Sequence, residues 1–276
     1  MRKFFIAMAV VLPAFIFASC SKSDKTAPVP PAAESLAVDF SAFNSAATKA
    51  LSSDDLESFY EFVSTNVLAN WVNIFDGIIN IPVEAYKQLL ISSAPVQDGK
   101  GWTWTAAYTD ALEQVYTVEL YGEEAGNNVN WEVRVSKDGL LGYEDFAWVT
   151  GWSAKDGSNG QWNVKVNPLD TDVLVTLDWT ASAGKVDTVK ITYDLEHLLG
   201  DIATFFNDSY IVYSTSATDD AYDHSITAYY NQMGLGFWQV DIEWNSKSGA
   251  GRVCSKNQYG DSEWHCWNPA HEDIEE

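Results

Sequence analysis

Two pairs of closely spaced carboxylates are the residues of this chain best suited to acid–base chemistry. Glu144 is followed directly by Asp145, and Asp241 lies two residues before Glu243. Glycosidases use such a pair, with one acid as proton donor and the other as base or nucleophile. Acids in turns and on the wet faces of strands are usually only solvated, however, and the chain lacks the common hydrolase, phosphate-loop and Cys-His motifs. We therefore expect no catalytic residues.

Histidines and a cluster of aspartates are the candidates for a nucleophilic relay or a metal site. Asp223, His224 and Ser225 have the residue types of a relay, but neighbours in a strand face opposite ways, so they cannot form one. Asp219 and Asp220 could join Asp223 around calcium, yet the glycine-containing ligand loop is missing. The four histidines offer no ligand spacing. We expect no metal and no cofactor.

Cys254 and Cys266 are the two cysteines that lie far from the N-terminus. A hairpin centred on Gly260 would place them opposite one another, and an oxidising compartment would let them pair. His265 would point to the opposite face of the strand from Cys266, which argues against shared metal ligation. The sequence therefore predicts a Cys254–Cys266 disulfide.

Twelve tryptophans make aromatic recognition the most attractive chemistry. Most alternate in register with Val, Ile and Leu, as Trp131 does with Val133, which is typical of a core. The aromatic residues outside that register could contact a ligand, and they are Trp102, Trp104, Tyr121 and Phe237, with Trp264 and Trp267 as weaker candidates. They could stack on a glycan, whereas an aromatic-lined curved sheet could enclose an apolar molecule.

The charge excludes one class of partner. The chain has 16 Lys and Arg against 39 Asp and Glu, for a formal net charge of −23. Nucleic acids and anionic membrane surfaces should be repelled. The acids are scattered rather than grouped in runs, so solubility accounts for much of the charge.

The N-terminus predicts export and a membrane anchor. Arg2 and Lys3 precede an apolar run over residues 4–17, and small residues then lead into Cys20. Such a stretch is a signal peptide and is too short for a stable membrane span. The segment over residues 17–20 resembles a bacterial lipobox, in which the cysteine is acylated and becomes the mature N-terminus. With serine at position 21, the resemblance implies the outer membrane of a Gram-negative bacterium, held there through the lipid.

Three segments follow residues 1–19. Residues 20–35 are small, polar and proline-rich, which indicates a flexible tether. Residues 36–95 have helical periodicity, clearest over 55–79, where Asp54 and Glu57 make a capping box and apolar residues step by three and four. That stripe contains Phe59, Val63, Val67, Trp71 and Ile74. Pro82 opens a shorter helix.

Residues 96–276 are predicted to form about a dozen strands. From Asn128 to Trp179, apolar and polar residues alternate, as in Val129, Trp131, Val133 and Val135, and the connections are too short for crossover helices. We therefore expect a mainly β fold: a large antiparallel meander forming a curved sheet, half-barrel or barrel, with the helical segment packed on it. The element order resembles that of periplasmic lipoprotein-carrier half-barrels, without their motifs.

Three functions fit these observations. The first is a non-catalytic envelope lipoprotein that binds an apolar ligand or another envelope component. The second is a surface glycan-binding lipoprotein, and the third is a structural or assembly protein without a small ligand. Whether the covered face of the sheet is filled or hollow discriminates between them. The sequence does not identify a protein partner.

Overall fold

The structure is a computed structural model that describes residues 26–43, 58–74, 79–92, 94–110, 112–139, 141–193, 209–215, 221–232 and 236–275. The Asp54–Glu57 capping box and Cys20 lie outside these ranges. The predicted fold class is confirmed, since most described residues belong to antiparallel strands of one sheet.

The sheet is a meander in which every strand pairs with its neighbours in the sequence. The first seven strands are β1 (Val96–Asp98), β2 (Gly101–Thr109), β3 (Val115–Ala125), β4 (Asn128–Lys137), β5 (Tyr143–Ala154), β6 (Asn159–Asn167) and β7 (Asp170–Ser182). The remaining seven are β8 (Lys185–Tyr193), β9 (Tyr210–Ser214), β10 (His224–Gln232), β11 (Gly236–Trp244), β12 (Gly251–Cys254), β13 (His265–Trp267) and β14 (Asp273–Ile274). Within the described residues β1 and β14 are free edges, so the closed barrel among the predicted shapes is excluded.

One face of the sheet is apolar, as the alternation predicts. Buried and half-exposed residues alternate along β4 and β6, and the inward residues of all the long strands join a single core. One row across this face alternates tryptophan with glycine: Trp102, Gly122, Trp131, Gly151 and Trp162 are successive cross-strand partners. A Cβ on Gly122 would lie 2.4 Å from Trp131 Cζ3, so glycine is needed to let the indole lie flat on the neighbouring strand.

The helices are short and lie on the apolar face. They are α1 (Phe59–Glu61), a π-helical segment (Phe62–Val67), α2 (Ala69–Ile74), α3 (Asn80–Ser92) and α4 (Lys256–Tyr259), with a 3₁₀ turn at Ala33–Ser35. α3 contacts β2, β3 and β4, the 3₁₀ turn contacts β7 and β8, and α1 contacts β12 and β13. The N-terminal elements therefore extend across most of the width of the sheet.

The helix predicted over 55–79 is corrected in two respects. It begins at Phe59, because Ser58 is extended and its side chain accepts a hydrogen bond from Glu61 N at 3.2 Å. Its second turn is π-helical, and there the hydroxyls of Ser64 and Thr65 both donate to the Glu61 carbonyl at 3.2 and 2.7 Å. Such bonds divert the carbonyl from the regular α-helical ladder.

The apolar stripe of this helix packs as predicted where it is described. Val63, Val67 and Trp71 are buried, and Trp71 stacks on Tyr193 of β8 with ring centroids 4.3 Å apart. Phe59, at the start of the stripe, is half-buried and contacts the ring of Tyr259. The helical segment therefore covers the sheet, as the sequence indicates.

The flexible tether predicted for residues 20–35 is wrong for residues 26–35. Pro31 and Ser35 are buried, and the Pro31 carbonyl accepts a hydrogen bond from the Tyr86 hydroxyl at 2.7 Å. Ser35 Oγ accepts a hydrogen bond from the indole N–H of Trp162 at 2.9 Å. Small residues and prolines in this segment can fit closely against the core. The residues that bind the segment, Tyr86 and Trp162, are distant from it in the sequence.

Candidate functional site

A cleft of about 600 Å³ lies between the N-terminal segment and the sheet. One wall is the segment over residues 32–39, which we call the strap, and the opposite wall is formed by β8, β9 and the turn that precedes β8. Val38, Val186, Val189 and Tyr213 are buried side chains that form its apolar floor. We call this space the strap cleft.

Local hydrogen bonds fix both walls. The β7–β8 turn has two consecutive left-handed residues, Ala183 (φ 51°) and Gly184 (φ 79°), as a tight two-residue hairpin requires. On the strand side, Thr215 N donates to the Asp187 carbonyl at 2.9 Å. On the strap side, Ser35 Oγ donates to the Ala32 carbonyl at 2.6 Å. The opening is therefore bounded by backbone that is held in place.

Charged residues of both signs surround the apolar floor. Lys87 and Lys185 lie at the mouth together with three acids, Glu34, Asp39 and Asp187. Lys87 is already paired with Glu84 on α3, at 2.7 Å. A molecule entering the cleft would therefore place its apolar part on the floor and its polar part at a rim of mixed charge.

Tyr213 is the most suitable polar group for orienting a ligand there. Burial, with smaller contributions from the negative charges of Asp39 and Asp223, raises the pKa of Tyr213 to about 12. Its hydroxyl is therefore protonated at neutral pH and can donate a hydrogen bond.

Two smaller clefts adjoin the strap. One of about 170 Å³ shares Ala37, Val38 and Lys87 with the strap cleft, and one of about 370 Å³ shares Ala32, Gly184 and Val186. Trp179 lines the latter, and its buried indole N–H has no hydrogen-bond partner in the described part of the chain. The strap therefore has open space on both sides.

The four aromatic residues predicted to contact a ligand do not form one site. Trp102 and Trp104 lie on the inner face of β2, where Trp104 is only 5% exposed and packs against Trp131. Tyr121 lies on the outer face of β3 and donates to Glu123 at 3.2 Å. Phe237 lies on the outer face of β11, eight strands away, stacked on Tyr229 with ring centroids 4.9 Å apart. Trp104 is thus a core residue rather than a sugar platform.

The predicted disulfide is not formed, because the hairpin register differs from the one assumed. Cys254 and Cys266 are both thiols. Cys266 pairs with Arg252, which makes the two cysteines diagonal neighbours rather than opposite partners. The reason is the short helix α4, after which Gly260 adopts a left-handed conformation, so that Gly260 is not the centre of the hairpin.

Asp223 and His224 are close to one another but do not form a relay with a serine. His224 Nδ1 lies 2.9 Å from Asp223 Oδ1, while Ser246 donates to Asp223 through both its hydroxyl and its backbone N–H, each at 2.7 Å. Ser225 lies opposite Ser214 on the outer face of the sheet.

Three of the four paired carboxylates have structural partners. Asp145 pairs with Arg134 at 2.5 Å, and Glu243 pairs with Arg252 at 2.5 Å. Asp241 accepts hydrogen bonds from the side chains of Thr227 and Gln239. These contacts explain Asp145, Asp241 and Glu243 without a catalytic role.

Within the described ranges, no group of three or more His, Cys, Asp or Glu side chains is arranged to hold a metal ion. No helix described in the structure is long and apolar enough to cross a membrane. The sequence does not identify Trp179, Tyr213 or the floor of the strap cleft as a site, because all of these residues follow the core pattern.

Comparison with protein-family models, with curated proteins and with solved structures finds no match to this chain.

Proposed function

We propose that this protein is a lipid-anchored, non-catalytic protein of the bacterial cell envelope that binds an apolar small molecule in the strap cleft. The observation that carries this proposal is the apolar floor formed by Val38, Val186 and Val189 beneath an opening of about 600 Å³. Small-molecule sites have this size and this combination of apolar walls and few polar groups. An apolar cavity also lowers stability unless a ligand fills it.

The chemistry of the cleft narrows the ligand class. The Tyr213 hydroxyl is a protonated donor, so a ligand with one hydrogen-bond acceptor on an apolar body would satisfy it. The net negative rim, with Glu34, Asp39 and Asp187 against Lys87 and Lys185, disfavours a strongly anionic head group. An uncharged amphipathic molecule fits best.

The anchor rests on the sequence that leads into Cys20, with its charged start, apolar run and small residues. The folded part begins by residue 26, since Ala27 already packs against the core. About six residues would then connect the lipid to the domain, which limits their separation to roughly 20 Å. The anchor is tested by labelling with a fatty acid: the wild-type protein should incorporate the label and Cys20→Ala should not.

Ligand binding is tested by titrating the folded protein with an apolar fluorescent probe whose emission rises in a dry environment. We expect saturable binding of one probe per protein. Ala37 lines the strap cleft and is half-buried, so Ala37→Trp should fill the opening and weaken probe binding at least tenfold. Tyr213→Phe should weaken the binding of a probe that carries a hydrogen-bond acceptor more than the binding of a probe that carries none.

The matched control is Ala125→Trp, which adds the same side chain at an exposed position of β3 that lines none of the described clefts. It should leave probe binding unchanged. Equal binding by Ala37→Trp and Ala125→Trp would refute the cleft as the site. Absence of saturable binding to the wild-type protein would favour a purely structural role, and quenching by soluble polysaccharide alone would favour a glycan ligand.

A further inference from the structure

Exposed apolar side chains gather at one end of the meander. In an antiparallel meander, alternate turns lie at the same end of the sheet, and the β2–β3, β4–β5 and β6–β7 turns share one end. Leucines in those turns are largely exposed to solvent: Leu112 is 79% exposed, Leu141 85% and Leu169 97%. Val115, at the start of β3, is 57% exposed. We call these four residues the leucine rim.

The three leucines of the rim lie in a spaced row along one end of the sheet. Adjacent strands lie about 4.8 Å apart, so successive turns at one end are about 10 Å apart and the three leucines span about 20 Å. The described turns at the opposite end carry no exposed Leu, Val, Ile or Phe. Among the described turns, the exposed apolar side chains are therefore confined to one end of the sheet.

Folding does not explain a leucine at position 141. Leu141 has a left-handed backbone (φ 59°), which is unfavourable for a large side chain, and it lies in a turn with Gly139 and Gly142. Its side chain is almost fully exposed, so it gains little packing in return. Glycine or asparagine would suit this turn better, and backbone strain of this kind is characteristic of functional positions.

The charge around the rim indicates which occupant fits. The same three turns and the start of β7 contain five acids and no base, and the acids are Asp110, Glu113, Asp138, Asp170 and Asp172. The nearest lysines, Lys137 and Lys165, lie over the rings of Tyr116 and Phe146 at 5.7 and 6.0 Å. The exposed leucines of this surface are therefore interspersed with acids.

We propose that the leucine rim is the docking surface for another protein, whose contact surface combines apolar and basic side chains. A second copy of this chain is disfavoured because the acids of the two rims would face each other. An anionic lipid surface is disfavoured for the same reason. This proposal does not depend on the strap cleft.

The two ends of the sheet also differ in their position relative to the N-terminus. Val29 and Pro30 line a cleft with Lys155 and Asp156 of the β5–β6 turn, which lies at the end opposite the leucine rim. If Cys20 is acylated as proposed, the short connection holds that end near the membrane. The leucine rim then points away from the membrane, towards soluble or envelope-spanning partners.

The test uses a fluorescent amphipathic helical peptide with leucine on one face and lysine on the other, and the full-length protein. The rim variant replaces Leu112, Leu141 and Leu169 by serine. The control variant replaces Val29, Ile91 and Val96 by serine, three residues that are also largely exposed but lie away from the rim. Thermal unfolding of both variants should match that of the wild type, because none of these side chains is buried.

We expect the rim variant to bind the peptide at least tenfold more weakly than the wild type, and the control variant to bind it equally well. A peptide with glutamate in place of lysine should not bind, and added salt should weaken the lysine peptide. Equal peptide binding by the rim and control variants would overturn the proposal. Leucine-dependent binding to phosphatidylcholine vesicles instead of the peptide, or leucine-dependent dimerisation in sedimentation, would also overturn it.

Discussion

The indole N–H of Trp162 on β6 donates to Ser35 Oγ in the strap at 2.9 Å, joining residues 127 positions apart in the sequence. Both side chains are fully buried. The Ser35 hydroxyl itself donates a hydrogen bond to the Ala32 carbonyl at 2.6 Å. This contact fixes the start of the strap on the sheet, and with it one wall of the strap cleft.

Ser35→Ala should lower the free energy of unfolding by about 1–3 kcal/mol, because the buried Trp162 N–H would lose its acceptor. Chemical denaturation followed by tryptophan fluorescence measures this difference. Ser41→Ala, at an exposed serine two residues beyond the strap, is the control and should change the stability by less than about 0.5 kcal/mol. Equal effects of the two substitutions would mean that the strap is not held by Trp162.

Trp71→Ala should lower the free energy of unfolding by about 3–5 kcal/mol, as for other large-to-small changes in a core. Trp71 is buried and stacks on Tyr193, so its removal leaves a cavity between α2 and the sheet. Urea denaturation gives the value. A loss below about 1 kcal/mol would show that the helical segment does not pack on the sheet in solution.

Cys254 and Cys266 should each take one alkyl group when the unreduced protein is denatured and alkylated, as mass spectrometry of the C-terminal peptides would show. Burial, with smaller contributions from the charges of Asp241, Asp261 and Glu263, raises the pKa of Cys254. Its alkylation in the folded protein should therefore be slow at neutral pH and increase only at more alkaline pH than for an unperturbed thiol. A linked peptide pair without alkylation would contradict the structure.

Asp223 should stabilise the protein in a pH-dependent way. Burial alone would raise its pKa, but hydrogen bonds from Ser246 and the contact with His224 outweigh burial and lower it. A lowered folded-state pKa contributes stability above the unfolded value of about 3.9, and this contribution is lost as pH falls through the folded pKa. Asp223→Asn should thus lower the melting temperature at pH 6 and flatten its decline below pH 4. If the melting temperature of Asp223→Asn declined below pH 4 as steeply as that of the wild type, this role would be contradicted.

The fold was predictable wherever local alternation determines it. Val129, Trp131, Val133 and Val135 face the core as their spacing indicates, and the short turns predict the antiparallel meander. The register predicted for the hairpin around Gly260 is wrong because the sequence does not distinguish a tight turn from the short helix α4. A two-residue error of that kind was enough to predict a disulfide that the structure does not form.

The candidate site was much less predictable than the fold. Residues 26–35 have the composition of a linker, and their burial depends on Tyr86 and Trp162, which lie far away in the sequence. The strap cleft likewise combines the strap, β8 and β9, and its floor residues have ordinary core patterns. The sequence predicts a ligand surface at Trp104 because it does not reveal the cross-strand neighbours of this residue, such as Leu120.

The most direct test of the ligand-binding proposal is photolabelling with an apolar diazirine probe, followed by peptide mapping of the full-length protein. We predict saturable labelling in residues 32–39 together with residues 184–189 or 213–215, reduced by excess unlabelled probe and lost in Ala37→Trp. Labelling confined to the leucine rim, or labelling that does not saturate, would contradict the strap cleft as a ligand site.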